Sequence, residues 1–320
     1  MKLKKIFKNK KAVISLVIAG LLLLAVLGMF AAVYKNISGY RRLGNKQADI
    51  RWKKENYICY ISGIEGREVL DEKSARYSDV NILAVVNPRK HKILLVNTPR
   101  DTLLSVPKVR KASDRAGQPE KLDAMPVYGA RASVKALNDL YDIKIDCMVR
   151  VNYRMLKRIV DGLGGVQVYS ECDFETDWGP SFHEGLNDVD GKQALAFVRE
   201  RHHLQEGDVQ RGRDQQYMVQ AILDKLKKTK SPAVYYRLLK CVGQEAASDL
   251  SVRSIQRLFW WQLTDQREWK IENVTLEGEQ SVAVTCSSSG QEIYAYLPSQ
   301  ESVDFIRKKI HKMISHTRGD

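Results

Sequence analysis

Three short stretches of this chain concentrate groups that handle phosphate. They are Ser78-Asp79, Pro99-Arg100-Asp101, and a run from Arg199-Glu200-Arg201 through Asp208 and Arg211 to Gln215. Carboxylates hold hard divalent cations, while guanidinium forks keep their charge and match phosphate oxygens two at a time. Acids and arginines in this combination suit a pyrophosphate ligand.

Other elements must bring these separate segments together. Residues 80–86 and 93–96 are apolar, β-branched runs flanking Asn87-Pro88-Arg89-Lys90-His91-Lys92, which predicts a hairpin. A turn centred near Arg89 and Lys90 pairs residues at a sequence sum of about 179 to 180, so Asp79 falls opposite Arg100 or Asp101. Residues 197–201 are expected to be extended, which would aim Arg199 and Arg201 at one face. From about Asp208 the pattern turns helical, and Arg211 and Gln215 stand one turn apart on a stripe that continues through Met218, Val219 and Ile222. A helix start with unpaired amides and an inward-pointing arginine is a natural anion site. Arg213 and Lys225 lie off the stripe and are expected in solvent.

The segments Ser78-Asp79-Val80-Asn81, Asn97-Thr98-Pro99-Arg100-Asp101, Lys121-Leu122-Asp123-Ala124, Val160-Asp161-Gly162-Leu163-Gly164-Gly165-Val166 and Ala194-Leu195-Ala196-Phe197-Val198-Arg199-Glu200-Arg201 occur in this order, followed by Asp208, Arg211 and Gln215. With this set, over residues 57–227, the chain resembles the LytR-CpsA-Psr family. The resemblance implies a three-layer α-β-α fold around a mixed sheet, and a membrane-anchored transferase of the bacterial envelope. Such enzymes take a wall teichoic acid, capsular polysaccharide or similar glycan from its polyprenyl (undecaprenyl) pyrophosphate carrier. They join it through a phosphodiester to a peptidoglycan hydroxyl.

Carried over by position, Asp79 and Asp101 resemble the family's magnesium-binding acids, with manganese as the alternative ion. Arg100, Arg199, Arg201 and Arg211 resemble the pyrophosphate-binding arginines. Asp208 and Gln215 match the polar residues that support them, and Lys121 sits at a position near the phosphates. Two positions depart from the family pattern. Tyr77 stands where an arginine often precedes Ser-Asp, and Arg76 replaces it only if a bulge or loop re-aims the side chain. Asp214 stands where many members have arginine, which is expected to weaken the positive field at the helix start. The proton acceptor stays open between Asp208 and the metal-binding acids. Hydrolysis of the polyprenyl pyrophosphate and a non-catalytic envelope scaffold are the alternative functions.

Charge is distributed unevenly. Residues 1–54 hold 13 basic residues and one acid, +12 of the chain's +14, which leaves +2 for residues 55–320. The folded part lacks the basic excess of a nucleic-acid binder. Residues 12–34 are uncharged and apolar, long enough for roughly 30 Å of hydrocarbon, and are expected to form a single-pass anchor in the cell membrane rather than a cleaved signal. The six lysines of residues 1–11 favour a cytoplasmic N-terminus. Residues 35–55 then form a juxtamembrane linker whose cations sit near anionic lipid, and residues 56–320 an extracellular catalytic domain.

Five cysteines without a C-x-x-C pair argue against zinc. Cys59 is expected as a small buried apolar group, and Cys172 with Cys286 is the candidate bridge. His202-His203 is expected to be solvated. Strands are predicted at 57–61, 80–86, 93–98, 145–151, 166–169, 197–201, 270–276 and 293–297. Helices are predicted at 126–140, 153–161, 191–196, 209–228, 232–242, 251–263 and 299–314. Hairpins and crossovers together give an α/β fold whose mixed sheet is covered on two faces.

Overall fold

The computed structural model describes residues 41–43, 47–52, 55–65, 77–129, 131–229, 231–265 and 267–315. The anchor expected at 12–34, the basic tail at 1–11 and Arg76 lie outside the described residues. Within them, no helix is long and apolar enough to cross a membrane.

The strands are β1 (Arg41–Arg42), β2 (Tyr57–Ile64), β3 (Val80–Asn87), β4 (Lys92–Asn97), β5 (Leu103–Ser105), β6 (Pro119–Lys121), β7 (Cys147–Asn152), β8 (Val166–Ser170), β9 (Phe174–Glu175), β10 (Ser181–Phe182), β11 (Gly185–Val189), β12 (Ala247–Ser248), β13 (Lys270–Thr275), β14 (Gly278–Val284) and β15 (Glu292–Pro298). The α-helices are α1 (Ala132–Tyr141), α2 (Tyr153–Gly162), α3 (Gly191–Arg199), α4 (Asp208–Lys228), α5 (Pro232–Glu245), α6 (Val252–Thr264) and α7 (Gln300–Ile314). A central sheet runs in the order β1-β12-β7-β2-β3-β4-β13. Its pairings are mixed: β2 lies antiparallel to β3 and parallel to β7, and β4 lies antiparallel to β3 and parallel to β13.

Side chains alternate along a strand, so one sheet builds two cores. Tyr60, Leu83, Val85, Leu94 and Val96 face Leu137 and Tyr141 of α1 and Ile306 and Ile310 of α7. Tyr57, Ile82, Val86, Ile93 and Leu95 face Tyr235 of α5 and Ile255 and Trp261 of α6. This is the expected three-layer arrangement. A third cluster joins Val160 of α2, Phe197 of α3 and Met218 of α4 to Val166 and Val168 of β8. It fixes the helices that carry Arg199 and Arg211.

Residues 197–201 are not a strand. The Asp190–Gln193 capping box starts α3, and its buried Ala194, Phe197 and Val198 keep the chain helical to Arg199; Glu200 then becomes extended. The helix expected from 126 starts only at Ala132, because Leu122–Tyr128 form a 3-10 segment with Pro126 inside it, followed by Gly129 at φ 119°. All five cysteines are free. The proposed Cys172–Cys286 bridge does not form: Cys172 Sγ accepts from Gln210 Nε2, and Cys286 Sγ donates to Gln118 Oε1. Cys59 is half-buried and lies beside buried Cys147 in the β2–β7 ladder.

One close approach sets the height of α4 above the sheet. A Cβ added at Gly212 would overlap the side-chain amide of Asn97, which is itself buried in β4. Gly212→Ala is therefore expected to cost about 1–3 kcal/mol by overpacking and to shift the neighbouring Arg211. The denaturation midpoint measures the cost.

Candidate active site

The hairpin register builds the first half of the site. Pairs run from Val86↔Ile93 to Ile82↔Asn97, a constant sum of 179, and Thr98 N–H continues by donating to the Asn81 carbonyl at 3.0 Å. Extended past the ladder, that register brings Arg100 to Asp79, and Arg100 Nη1 lies 2.7 Å from Asp79 Oδ1. The loop is closed by Thr102, whose N–H and Oγ1 both donate to the Pro99 carbonyl. The 3-10 segment is tied down on it. Asp123 N–H donates to the Arg100 carbonyl at 2.8 Å, and Ser78 N–H donates to the Asp123 carbonyl at 2.9 Å. Lys121 Nζ reaches Asp101 Oδ1 at 2.6 Å.

The start of α4 supplies the second half. Gly207 at φ 52° turns the chain into the helix without any side-chain cap, so Asp208 is left to bridge two guanidinium groups. Its Oδ1 lies 2.7 Å from Arg211 Nη2, and its Oδ2 lies 3.4 Å from Arg100 Nε. Burial opposes the charge of Arg100, but Asp208, Asp101 and Asp79 outweigh it and raise its pKa. Charge proximity here is not hydrogen-bond satisfaction. Arg100 Nε, Arg211 Nη2 and Asp123 Oδ1 are all buried and without a hydrogen bond of good geometry. Two cationic donors thus converge with no acceptor properly aligned on them, the state expected of groups arranged for an anion.

Arg199 arrives from the end of α3. Its Nη2 lies 2.7 Å from Glu65 Oε1, and its guanidinium carbon sits 5.3 Å from the Tyr153 ring centre and 4.8 Å from that of Trp178. Tyr153 links the two halves electrically: burial pushes its hydroxyl up to about 12, and the charges it senses are Asp79, Arg211, Arg199 and Glu65. Arg201 is different. It is exposed, its Nε meets His202 Nε2 at 3.3 Å, and no described contact joins it to the acids. The shared face expected for Arg199 and Arg201 fails because a helix end separates them. Gln215 is buried and donates to the Val198 carbonyl at 3.3 Å, so it locks α4 to α3 and positions its neighbours.

Sequence reasoning missed Glu65, Tyr153, Trp178 and the role of Asp123. Glu65 had a signal: it follows β2, whose Gly63 pairs with Val80, next to Asp79. Asp123 is raised to about 7 by burial, opposed by Lys121 and Arg100 and reinforced by Asp101 and Asp79. Asp214, expected to weaken the positive field at the helix start, has a raised pKa. It is fully buried in α4, and burial with the charge of Glu171, opposed by Arg213, raises it to about 8, which favours the neutral form.

The described group whose ligand atoms all lie within 4.8 Å of one another is Asp177, Glu200 and His203. Glu200 is fully buried there, and both its oxygens accept backbone N–H groups, from Asp177, Arg201, His202 and His203. It is a loop staple with little lone-pair capacity left for a metal. The set around Arg100 has the chemistry for a hard cation: Asp79 and Asp101 offer oxygens only, and Asp123 Oδ1 is unsatisfied beside them. Magnesium usually takes one or two carboxylates and completes its shell from water and phosphate.

A model of the LytR_cpsA_psr family matches residues 31–312. The polyisoprenyl-teichoic acid--peptidoglycan teichoic acid transferase TagU of Enterococcus faecalis is 30% identical over 263 residues, covering 78% of this chain and 83% of the relative. Biofilm regulatory protein A of Streptococcus mutans is 28% identical over 262 residues, covering 77% of this chain; the match spans 64% of that relative's length. Among solved structures, Bacillus subtilis TagV superposes with a TM-score of 0.66 at 21% identity, covering 83% of this chain and 99% of that one.

Proposed function

Because the chain belongs to the LytR_cpsA_psr family, we propose that it transfers a glycopolymer from a polyprenyl-pyrophosphate carrier to a peptidoglycan hydroxyl. The observation that carries this is the pair of buried, unsatisfied guanidinium donors, Arg100 Nε and Arg211 Nη2, beside the carboxylates Asp79, Asp101 and Asp208. A diphosphate supplies the aligned oxygens these donors lack, and oxygen-only acids next to them suit its counter-ion. The teichoic acid transferase named among the relatives supports the same class of reaction.

In the proposed reaction an acceptor hydroxyl forms a bond to the glycan-side phosphorus, and the bond from that phosphorus to the bridging oxygen breaks. Prenyl phosphate leaves, and the hydroxyl proton passes to a carboxylate of the site. Arg100, Arg211 and Arg199 hold the non-bridging oxygens and neutralise charge that grows on the leaving phosphate. Lys121 holds Asp101 in place. Asp79 and Asp101 would hold magnesium, which when bound supplies further neutralisation of the pyrophosphate. Residues 12–34 would anchor the domain in the cell membrane, beside its lipid-linked donor.

The test is a transfer assay on the purified full-length chain with a lipid-linked glycan and a peptidoglycan oligomer. Polymer-bearing peptidoglycan is expected, with loss on chelation and a fall of about 10²–10³-fold in Asp79→Ala. Release of phosphate with no joined product, at equal rates with and without acceptor, would assign a hydrolase instead.

A further inference from the structure

The hairpin β14–β15 carries an apolar face that the described fold leaves open. Val282 pairs with Tyr294 and Val284 with Glu292 across the ladder, so these side chains share one face. Val282 is 58% exposed, Val284 47% and Tyr294 42%, while Ala295, on the other face, is fully buried. The open face lies beside the proposed catalytic centre: burial raises the Tyr294 hydroxyl, the charges of Asp101 and Asp208 raise it further, and Lys121 opposes them. Adjacent valines and a tyrosine left in water on one rigid face mark a contact surface.

The sheet register says what lies opposite. Arg41 of β1 stands level with Ala247 and Arg150, and through Ser62 with Asn81, the residue whose carbonyl holds Thr98 just before Arg100. The direction of β1 means that the chain enters the sheet from the end that carries the catalytic centre. The uncharged apolar run ends at residue 34, and the seven residues from there to Arg41 reach at most roughly 25 Å. An anchor in that run therefore holds this end of the sheet close to the bilayer. The hairpin starts from the same end at the far edge of the sheet: β13 stops opposite Asn97, Leu276 N–H donates to the Asn97 carbonyl, and Tyr296 N–H donates to the Asp101 carbonyl. Cations border it. Arg115 Nη1 donates to the Cys286 carbonyl in the hairpin turn at 3.0 Å, and Lys108, Arg110, Lys111 and Arg115 are all exposed; the exposed acids beside them are Asp114 and, on the apolar face, Glu292. Two copies packed face to face would set these cations against one another, whereas anionic lipid neutralises them.

We propose that this face rests on the bilayer, with Val282 and Val284 at the boundary between headgroups and acyl chains and the cations of residues 108–115 on anionic headgroups. The inference rests on the reading of residues 12–34 as an anchor. It adds a second point of contact at the opposite edge of the sheet, so that the domain is held in one orientation with its catalytic centre turned to the lipid surface.

The test places a photoreactive group in the full-length chain, as Val282→p-benzoylphenylalanine, reconstituted in phosphatidylglycerol vesicles free of prenyl lipid and irradiated. A phosphatidylglycerol adduct at residue 282 is expected, weaker in phosphatidylcholine vesicles, and absent from Lys90→p-benzoylphenylalanine, an exposed position at the other end of the sheet. Equal labelling at both positions, an adduct only to a second copy of the chain, or one only after polyprenyl phosphate is added would overturn the proposal. A chain that floats with the vesicles but gives no lipid adduct at residue 282 removes this inference alone; a chain that does not float removes the anchor as well. A second measurement uses Val282→Asp/Val284→Asp, whose melting curve should not move because both side chains are open. Transfer from a vesicle-borne donor should fall by about tenfold or more, transfer from a detergent-dispersed donor should not change, and Val282→Leu/Val284→Leu should behave as wild type. Equal loss with both donors would place the valines in the catalytic centre and overturn the lipid contact.

Discussion

Arg211→Ala is expected to lower the transfer rate by about 10²–10³-fold at saturating donor, the typical loss when one donor to a developing anion is removed. Arg211 is nearly enclosed, at 8% side-chain exposure, and its contact with Asp208 leaves Nη2 without a well-formed hydrogen bond. The group is therefore held by the fold but not consumed by it. Folding should survive the change, since Asp208 keeps Arg100 at 3.4 Å and is not stranded as a lone charge. Arg211→Lys should rescue little, because a point charge cannot present two N–H groups to one phosphate. Single-turnover transfer, paired with a thermal melt, measures both parts. Wild-type turnover in a folded Arg211→Ala protein would remove Arg211 from the mechanism.

Asp214→Asn is expected to stabilise the protein in a pH-dependent way. The Asp214 carboxyl is fully buried with neither oxygen hydrogen-bonded, and burial is the main cause of its rise to about 8. Its folded pKa lies above the ordinary value of 3.8, so the folded state binds the proton more tightly than the unfolded chain does. Stability is then greatest below about pH 4 and is lost as pH rises toward 8. Asparagine is neutral throughout and escapes that loss. The variant should match the wild type near pH 4.5 and exceed it by about 2–4 kcal/mol near pH 8.5, read from urea midpoints at the two pH values. An equal difference at both would mean that ionisation of Asp214 is not the cause. Asp123 contributes with the same sign, its loss complete near pH 7.

Much of this architecture was legible from pattern alone. The runs at 80–86 and 93–96 fixed a hairpin and, through its sum, the meeting of Asp79 with Arg100. The 3.6-residue stripe gave α4 with Arg211, Gln215 and Met218 facing inward, and all three are buried. The error at 197–201 came from a short apolar run whose period is ambiguous; the cap at Asp190 decided it in favour of helix. Trp178 was missed because its value comes from tertiary proximity to Arg199, which no spacing encodes. Asp123 and Asp214 carried no sign of their altered protonation, because burial is set by the assembled layers. Residues 106–120 bury Val106 and Ala112 and lead into β6, an ordering that their polar composition does not announce.

The turn between β3 and β4 also acts as a ruler. Six residues of β4 at about 3.3 Å each put the bend of Pro88 to His91 roughly 20 Å from the Arg100 guanidinium, yet its length dictates which residue stands opposite Asp79. Deleting one residue there would slide the ladder by one place and rotate the arginine to the far side of the sheet. Length variation at this bend, where only Arg89 and Lys90 are exposed, should therefore be tolerated only where it leaves the count between Asp79 and Arg100 in step, so that a turn inherits the constraint of the chemistry at the opposite end of its strands.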